Sequence, residues 1–293
     1  MHSMKTASFS SSRKLYSKRL FLLRHGQAQH NPRAEAARHE GCTHDRFLAI
    51  MKEDDALDAP LTALGLEQAK RVTHDLALAS KLRSVDLIVS SPLSRALHTA
   101  NLVIPPISEK EIIEDVHNDS NNPDNKRLEV NGGQHEPSRI CINSFREING
   151  WLLNAKRRNK SELENLFPSW DFGFISSETD NDWTETLESQ ADCGERGYKS
   201  LLWITKRVES TVFVATHGGL LRFLTVDHPN VKLADGRTSE YSDQNGGNEG
   251  GQRDVTERFE NCEVREYVMS WEKEDKDEDG KLFRPIITLT EVN

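Results

Sequence analysis

KRLFLLRHGQAQHN, residues 18–31, is a short apolar run that stops abruptly at Arg24-His25-Gly26. A continuous apolar stretch such as Leu20 to Leu23, closed by a turn signal, reads as a strand covered on both faces. At its carboxyl end a guanidinium, an imidazole and a glycine follow in succession. In open α/β sheets ligands bind in the crevice beyond the strand ends. Taken alone, the tripeptide is no more than a loop with two basic residues, so the rest of the chain decides its meaning.

Downstream the pattern alternates. Pro32 to Asp58 is polar, with a weak apolar repeat at Phe47, Ile50 and Met51 that predicts a short helix within a loop. Thr62 is placed to cap a helix whose buried face carries Ala69, Val72, Leu76 and Ala79. Val85 to Val89 reads as a strand, Ser90-Ser91-Pro92 as a turn, and Ser94 to Val103 as a second helix. Further on, Ser161-Glu162-Leu163-Glu164 has the capping-box pattern, and Pro168 stops the helix behind it. Leu187, Ala191, Gly194, Tyr198, Leu201, Thr205 and Val208 mark one face of a long helix. That helix feeds a strand, Thr211 to Ala215, ending at Thr216-His217-Gly218-Gly219, after which Leu220 to Val226 is helical. Cys262 to Trp271 and Pro285 to Val292 read as closing strands joined by the acidic turn EKEDKDEDG.

This alternation predicts an α/β fold, a mainly parallel central sheet flanked by helices on both faces. The expected organisation is a disordered tail, residues 1–18, and one domain over residues 19–293. Two polar stretches, 105–139 and 234–258, read as surface insertions.

Composition bounds the function. Of 293 residues, 35% are hydrophobic and 29% charged, and no run approaches the roughly 18 apolar residues of a membrane span. A net charge of −9 argues against a general nucleic-acid binder but leaves room for a small basic pocket. Cys42, Cys141, Cys193 and Cys262 lack metal-ligand spacing and read as free thiols of a reducing compartment, so the expected location is cytoplasmic. Residues 1–19 are basic, Ser-rich and free of acids, the composition of a transit peptide, and read here as a simple tail.

Three strand ends present polar groups: Arg24-His25-Gly26, then Ser90-Ser91-Pro92 leading to Arg95, then His217-Gly218-Gly219. If the strands are parallel, two imidazoles and two guanidiniums converge on one sheet edge. Guanidiniums bind phosphoryl oxygens in bidentate fashion, and imidazolium adds a charge-assisted hydrogen bond. Gly26, Gly218 and Gly219 let the backbone approach, and helices starting after the motifs would point their N-termini at the anion. A hydrolytic zinc site would want three His or carboxylate ligands and no adjacent arginines, and His30, His39 and His44 have no recognised metal spacing. No metal or cofactor is therefore expected. A Gly-x-Ser-x-Gly elbow is absent, which leaves His25 to be considered as a nucleophile in its own right.

Together, Arg-His-Gly, Ser-Pro-x-x-Arg-Ala-x-x-Thr-Ala and Thr-His-Gly-Gly, in this order and strand context, resemble the histidine phosphatase superfamily, also called phosphoglycerate mutase-like. The resemblance covers the core from about Leu20 to Met269 outside the insertions. RHGQAQHN, LDAPLTALGLEQAK, FREINGWLLNAKRRNKSELENLFPSWDF and FENCEVR are similar in particular to the phosphoglycerate mutase-like proteins of plants and fungi. The resemblance implies that His25 becomes a phosphohistidine, with its other ring nitrogen held by a backbone carbonyl. It implies that Arg24, Arg95 and His217 clamp the phosphoryl oxygens, and that Asn31 adds a neutral hydrogen bond. Glu147 matches the proton donor and would be partly buried with a raised pKa, although Ile148-Asn149-Gly150-Trp151 departs from the family's continuation. Glu114 and Glu136 stand as alternative acids. Arg146 and Lys156-Arg157-Arg158 are candidates for the far end of a substrate, and Trp151, Trp170 and Trp183 for a pocket wall or packing.

The expected activity is a metal-independent phosphatase acting on a small phosphorylated substrate. Gln29-His30-Asn31-Pro32 replaces the Trp-containing continuation of the mutases, which makes a mutase the alternative. A non-catalytic phosphate-binding module is the third reading.

Overall fold

The computed structural model of the protein describes residues 14–106, 136–225, 228–235, 258–272 and 284–292. Seven strands, β1 Leu15–Arg24, β2 Leu87–Ser90, β3 Ser138–Cys141, β4 Thr211–Thr216, β5 Val231–Leu233, β6 Val264–Glu272 and β7 Ile287–Glu291, form one sheet. Their order is β3-β2-β4-β1-β6-β7-β5. β2 is parallel to β3 and β4, and β4 to β1. β6 runs antiparallel to both β1 and β7. The helices are α1 Pro32–His39, α2 His44–Glu53, α3 Ala63–His74, α4 Leu76–Leu82, α5 Ser94–Val103, α6 Lys160–Leu166, α7 Gln190–Thr205 and α8 Gly218–Thr225. The mainly parallel α/β sheet expected from the sequence is the architecture observed.

Leu20 to Leu23 is buried throughout because both faces of the sheet are covered. Successive strand residues point to opposite faces. Leu20 and Leu22 join Val212 and Val214 against Tyr198, Leu201 and Ile204 of α7 and Leu220 and Leu224 of α8. Phe21, Leu23 and Phe213 pack on the other face against Ala69 of α3, Leu97 and Ala100 of α5, and Leu163, Phe167 and Trp170.

Several sequence expectations shift. β1 starts at Leu15, so residues 15–18 are strand and not tail; β6 offers partners as far as Glu272, and Tyr16 stacks on Trp271 with ring centroids 6.1 Å apart. Between Pro32 and Asp58 there are two helices in place of one, the second capped by Thr43, and Ala34, Ile50, Met51 and Leu152 bury together between them. The helix behind Thr62 ends at His74, because Asp75 caps α4 by accepting from the Leu78 amide; Leu76 consequently faces solvent, 82% exposed. The capping box is Asn159 with Glu162, two residues before the expected start. α7 ends at Thr205, which leaves Val208 outside it and exposed. β3 begins inside the stretch assigned to the first insertion, and β5 was not anticipated. Most of both insertions, the acidic turn and Glu114 lie outside the described residues. Among the described residues, no helix is long and apolar enough to cross a membrane.

Candidate active site

Backbone hydrogen bonds lock the three motifs onto one sheet edge. The His25 amide donates to Thr216 O at 3.0 Å, and the Ser91 amide to Ala215 O at 3.1 Å, each continuing a parallel ladder by one residue. Arg24 therefore ends β1 with His25 just beyond it, His217 follows β4 directly, and Arg95 sits in the first turn of α5 behind β2. The Gly26 amide donates to Thr99 Oγ1 at 3.1 Å, and a Cβ on Gly26 would lie 2.6 Å from Gly65 O, which is why glycine stands there.

His25 is 2% exposed, and its Nδ1 lies 2.6 Å from Gly26 O. That carbonyl accepts from an Nδ1–H and leaves the lone pair on Nε2, which accepts from Arg95 Nε at 3.2 Å. The backbone carbonyl implied for the second ring nitrogen is thus Gly26 O. Burial first, then Arg95 and Arg24, holds the His25 pKa well below the ordinary imidazole range, so the ring is neutral and nucleophilic near neutral pH. The His217 ring centroid is 4.9 Å from that of His25, and its Nε2 pairs with Ser91 Oγ at 2.8 Å. Arg95 is wholly enclosed; Nη1 donates to Asn154 O at 2.7 Å, while burial lowers its pKa to about 10. Arg24 donates to Phe259 O at 2.9 Å and to the Glu35 carboxylate. A Cβ on Gly218 would come within 3.1 Å of Arg24 Nε, so this glycine admits the guanidinium to the start of α8. Arg24 Nε, Arg95 Nη2, His217 Nδ1 and His30 Nδ1 are all buried without a hydrogen-bond partner.

Both helix N-termini beside the clamp are closed by the protein's own carboxylates, a correction to the expectation that they face the substrate. Glu147 Oε1 accepts from the Ile148 amide at 2.9 Å and Leu220 amide at 3.1 Å, and Oε2 from the Gly219 amide at 3.3 Å. Asp58 accepts from the Ser94 amide at 2.8 Å and from the Ser94 hydroxyl. A helix N-terminus is an anion site, and a carboxylate fills it as well as a phosphate does. Burial pushes the Asp58 carboxyl up to about 6, against the Ser94 hydrogen bonds.

Glu147 is half-buried, as expected, and is held from behind. Arg196 of α7 donates to the carbonyls of Ser144, Arg146 and Glu147 and is clasped by Glu188. Asn31 spends its side-chain oxygen on the Ala28 amide, 2.8 Å away, which closes the turn after Gly26. Arg146 and Arg157 are turned to acceptors of the protein itself. Arg146 makes a buried two-point pair with Asp180 and also donates to Ala155 O, and Arg157 donates to the carbonyls of Arg158, Ser177, Glu178 and Thr179. Trp170 is core, its Nε1 donating to Asn101. Trp151 packs against α1 and α2, and Trp183 carries Lys156 over its ring. Sequence reasoning missed Glu35, Asp58 and Arg196, whose spacing from the motifs is arbitrary, and set His30 aside. Among the described residues, no group of three or more His, Cys, Asp or Glu side chains is placed to hold a metal ion.

A model of the histidine phosphatase superfamily, branch 1, matches residues 20–118. A phosphoglycerate mutase-like protein of Arabidopsis thaliana is 30% identical over 220 residues, 71% of this chain and 73% of that one. Phosphoglycerate mutase-like protein 1 of the same plant is 28% identical over 259 residues, 86% of this chain and 81% of its own. The solved structure of a mycobacterial glucosyl-3-phosphoglycerate phosphatase aligns with 94% of this chain and 99% of its own, at 14% identity and a TM-score of 0.39.

Proposed function

The chain belongs to the histidine phosphatase superfamily, and from that premise we propose that it is a metal-independent phosphomonoesterase working through a phosphohistidine on His25. The observation that carries this reading is the fixed tautomer of His25, with Nδ1–H on Gly26 O and the Nε2 lone pair facing Arg95. A phosphoryl group entering between them meets the nucleophile in line and two guanidiniums at its oxygens. Nε2 bonds to phosphorus as the bond to the leaving oxygen breaks. That oxygen takes a proton from Glu147, for which Oε2, with one long amide contact, has the free lone pair. Water then attacks the phosphohistidine, gives its proton to Glu147 and releases inorganic phosphate. His217 Nδ1 and the free donors of Arg24 and Arg95 bind the oxygens throughout. The substrate is a small phosphorylated molecule.

The test is phosphate release from an aryl phosphate, with EDTA present, by the wild type and His25→Ala, together with rapid-quench detection of an acid-labile, base-stable phosphoryl label on the protein. Release that survives EDTA and is lost with His25 is the expected result. Release that His25→Ala retains would refute the mechanism, and label passed between phosphoglycerates would make the chain a mutase.

A further inference from the structure

Three histidines close on the reaction centre. His30 lies in the turn after Gly26, a place fixed by the Ala28–Leu61 bridge and by Asn31, whose amide donates to Ala28 O at 2.9 Å. It is 2% exposed, with its ring centroid 6.4 Å from that of His25. Its Nδ1 is buried and meets no hydrogen-bond partner. Enclosing a polar nitrogen this way works against folding unless some atom arrives to meet it. The other unpartnered nitrogens around His25 belong to the groups already read as phosphoryl ligands.

We propose that His30 is a substrate-binding residue, donating an Nδ1–H hydrogen bond to a non-bridging phosphoryl oxygen alongside Arg24, Arg95 and His217. This rests on the reading of His25 as the phosphoryl acceptor. A neutral donor suits the place. Burial, Arg95 and Arg24 together keep the His30 imidazole uncharged, so it adds a hydrogen bond without a third cation beside two guanidiniums.

The experiment compares wild type, His30→Phe and His30→Gln for KM and kcat on an aryl phosphate, for inhibition by inorganic phosphate, and for thermal unfolding. His30→Phe should weaken phosphate inhibition and raise KM by about tenfold or more, the worth of a hydrogen bond to a charged group. Its melting temperature should be unchanged or higher, since a buried unpaired nitrogen is removed, and His30→Gln should recover part of the affinity. Wild-type phosphate inhibition in a folded His30→Phe would overturn the assignment. Should that variant not fold, the histidine ring-nitrogen NMR spectrum of the wild type serves, assigned with His30→Gln. A His30 signal that moves on adding phosphate supports the contact, and one that stays put overturns it. A wild type that binds phosphate but hydrolyses nothing sinks the phosphatase reading alone, and phosphate affinity in the variants still decides for His30. A wild type that binds no phosphate sinks both.

Discussion

Lowering the pH should destabilise this fold well above the range where carboxylates titrate. His25, His30 and His217 are completely buried, and burial first, then Arg95, holds each well below the ordinary imidazole value of 6.5. As the pH falls through 6.5 the unfolded chain takes up three protons that the folded chain refuses, so stability present above that pH is lost below it. Between about pH 7.5 and about pH 5.5 each such imidazole costs about 1.4 kcal/mol, and three cost about 4. Asp58 works in the opposite direction. Its folded carboxyl, raised to about 6 from 3.8, is protonated within this window while the unfolded one is not, which returns about 0.8 kcal/mol. His228 is also lowered and adds to the loss, whereas the lowered Asp180, Glu195, Glu209 and Glu266 act only as the pH falls below about 4.5. The expected net loss is about 3 kcal/mol, large against a typical total stability of about 5–15 kcal/mol. Urea unfolding at the two pH values measures it. His30→Gln should remove about a third of the histidine contribution. A stability that is constant or rises on acidification refutes the claim that the three rings are held neutral.

Other perturbations follow from single contacts. In Gly219→Ala the new Cβ would collide with Glu147 Oε1 and must push the carboxylate aside; kcat should fall by about tenfold or more at nearly constant KM and melting temperature, and an unchanged kcat would remove Glu147 from the chemistry. Asp180→Ala leaves Arg146 buried and uncompensated, so a loss of about 3–5 kcal/mol is expected in the urea midpoint; a midpoint that does not move means the pair anchors nothing. Leu76→Ser should change stability by less than about 0.5 kcal/mol because the side chain faces solvent, and a cost of a buried leucine would restore the continuous helix that the periodicity suggested.

The parts of the fold that the sequence made legible are those written in a short period. Leu20 to Leu23 and Val212 to Ala215 are unbroken apolar runs because they lie on central strands covered on both faces, and Ser94 to Val103 has the bounds its periodicity gave. Parallel strands put the three motifs on one sheet edge; their adjacency comes from the strand order β2-β4-β1. What was illegible depends on partners far away in the chain. The spacing at Leu76 continues that of Ala69 and Val72, yet Asp75 restarts the helix because its side chain prefers a cap to a helix interior. Tyr16 belongs to a strand because Trp271 lies beside it, some 250 residues later. His30 read as a stray member of a His-rich segment, since no spacing rule says that a turn closed by Asn31 buries it beside His25.

Arginines show the same limit in its sharpest form, because Arg24, Arg95, Arg146, Arg157 and Arg196 are one letter with several roles. Arg146 is paired with Asp180, Arg196 with Glu188, and Arg24 with Glu35. Arg157 donates from both Nη atoms to four backbone carbonyls, while its Nε is buried without a partner. Arg95 differs from the three ion-paired arginines. It is as buried as any, but among the described residues no carboxylate touches it; Asp58 and Glu147 act on it only at a distance, and its Nη2 donates to nothing. Burying an unpaired guanidinium is costly, and burial accordingly draws its pKa down to about 10. An anion set against Nη2 would lie on the side of His25 Nε2, which is 3.2 Å from Nε. In the proposed reaction a phosphoryl group would supply that negative charge and the electrophile in one ligand, so the residue whose burial is costly is also the one proposed to favour phosphate.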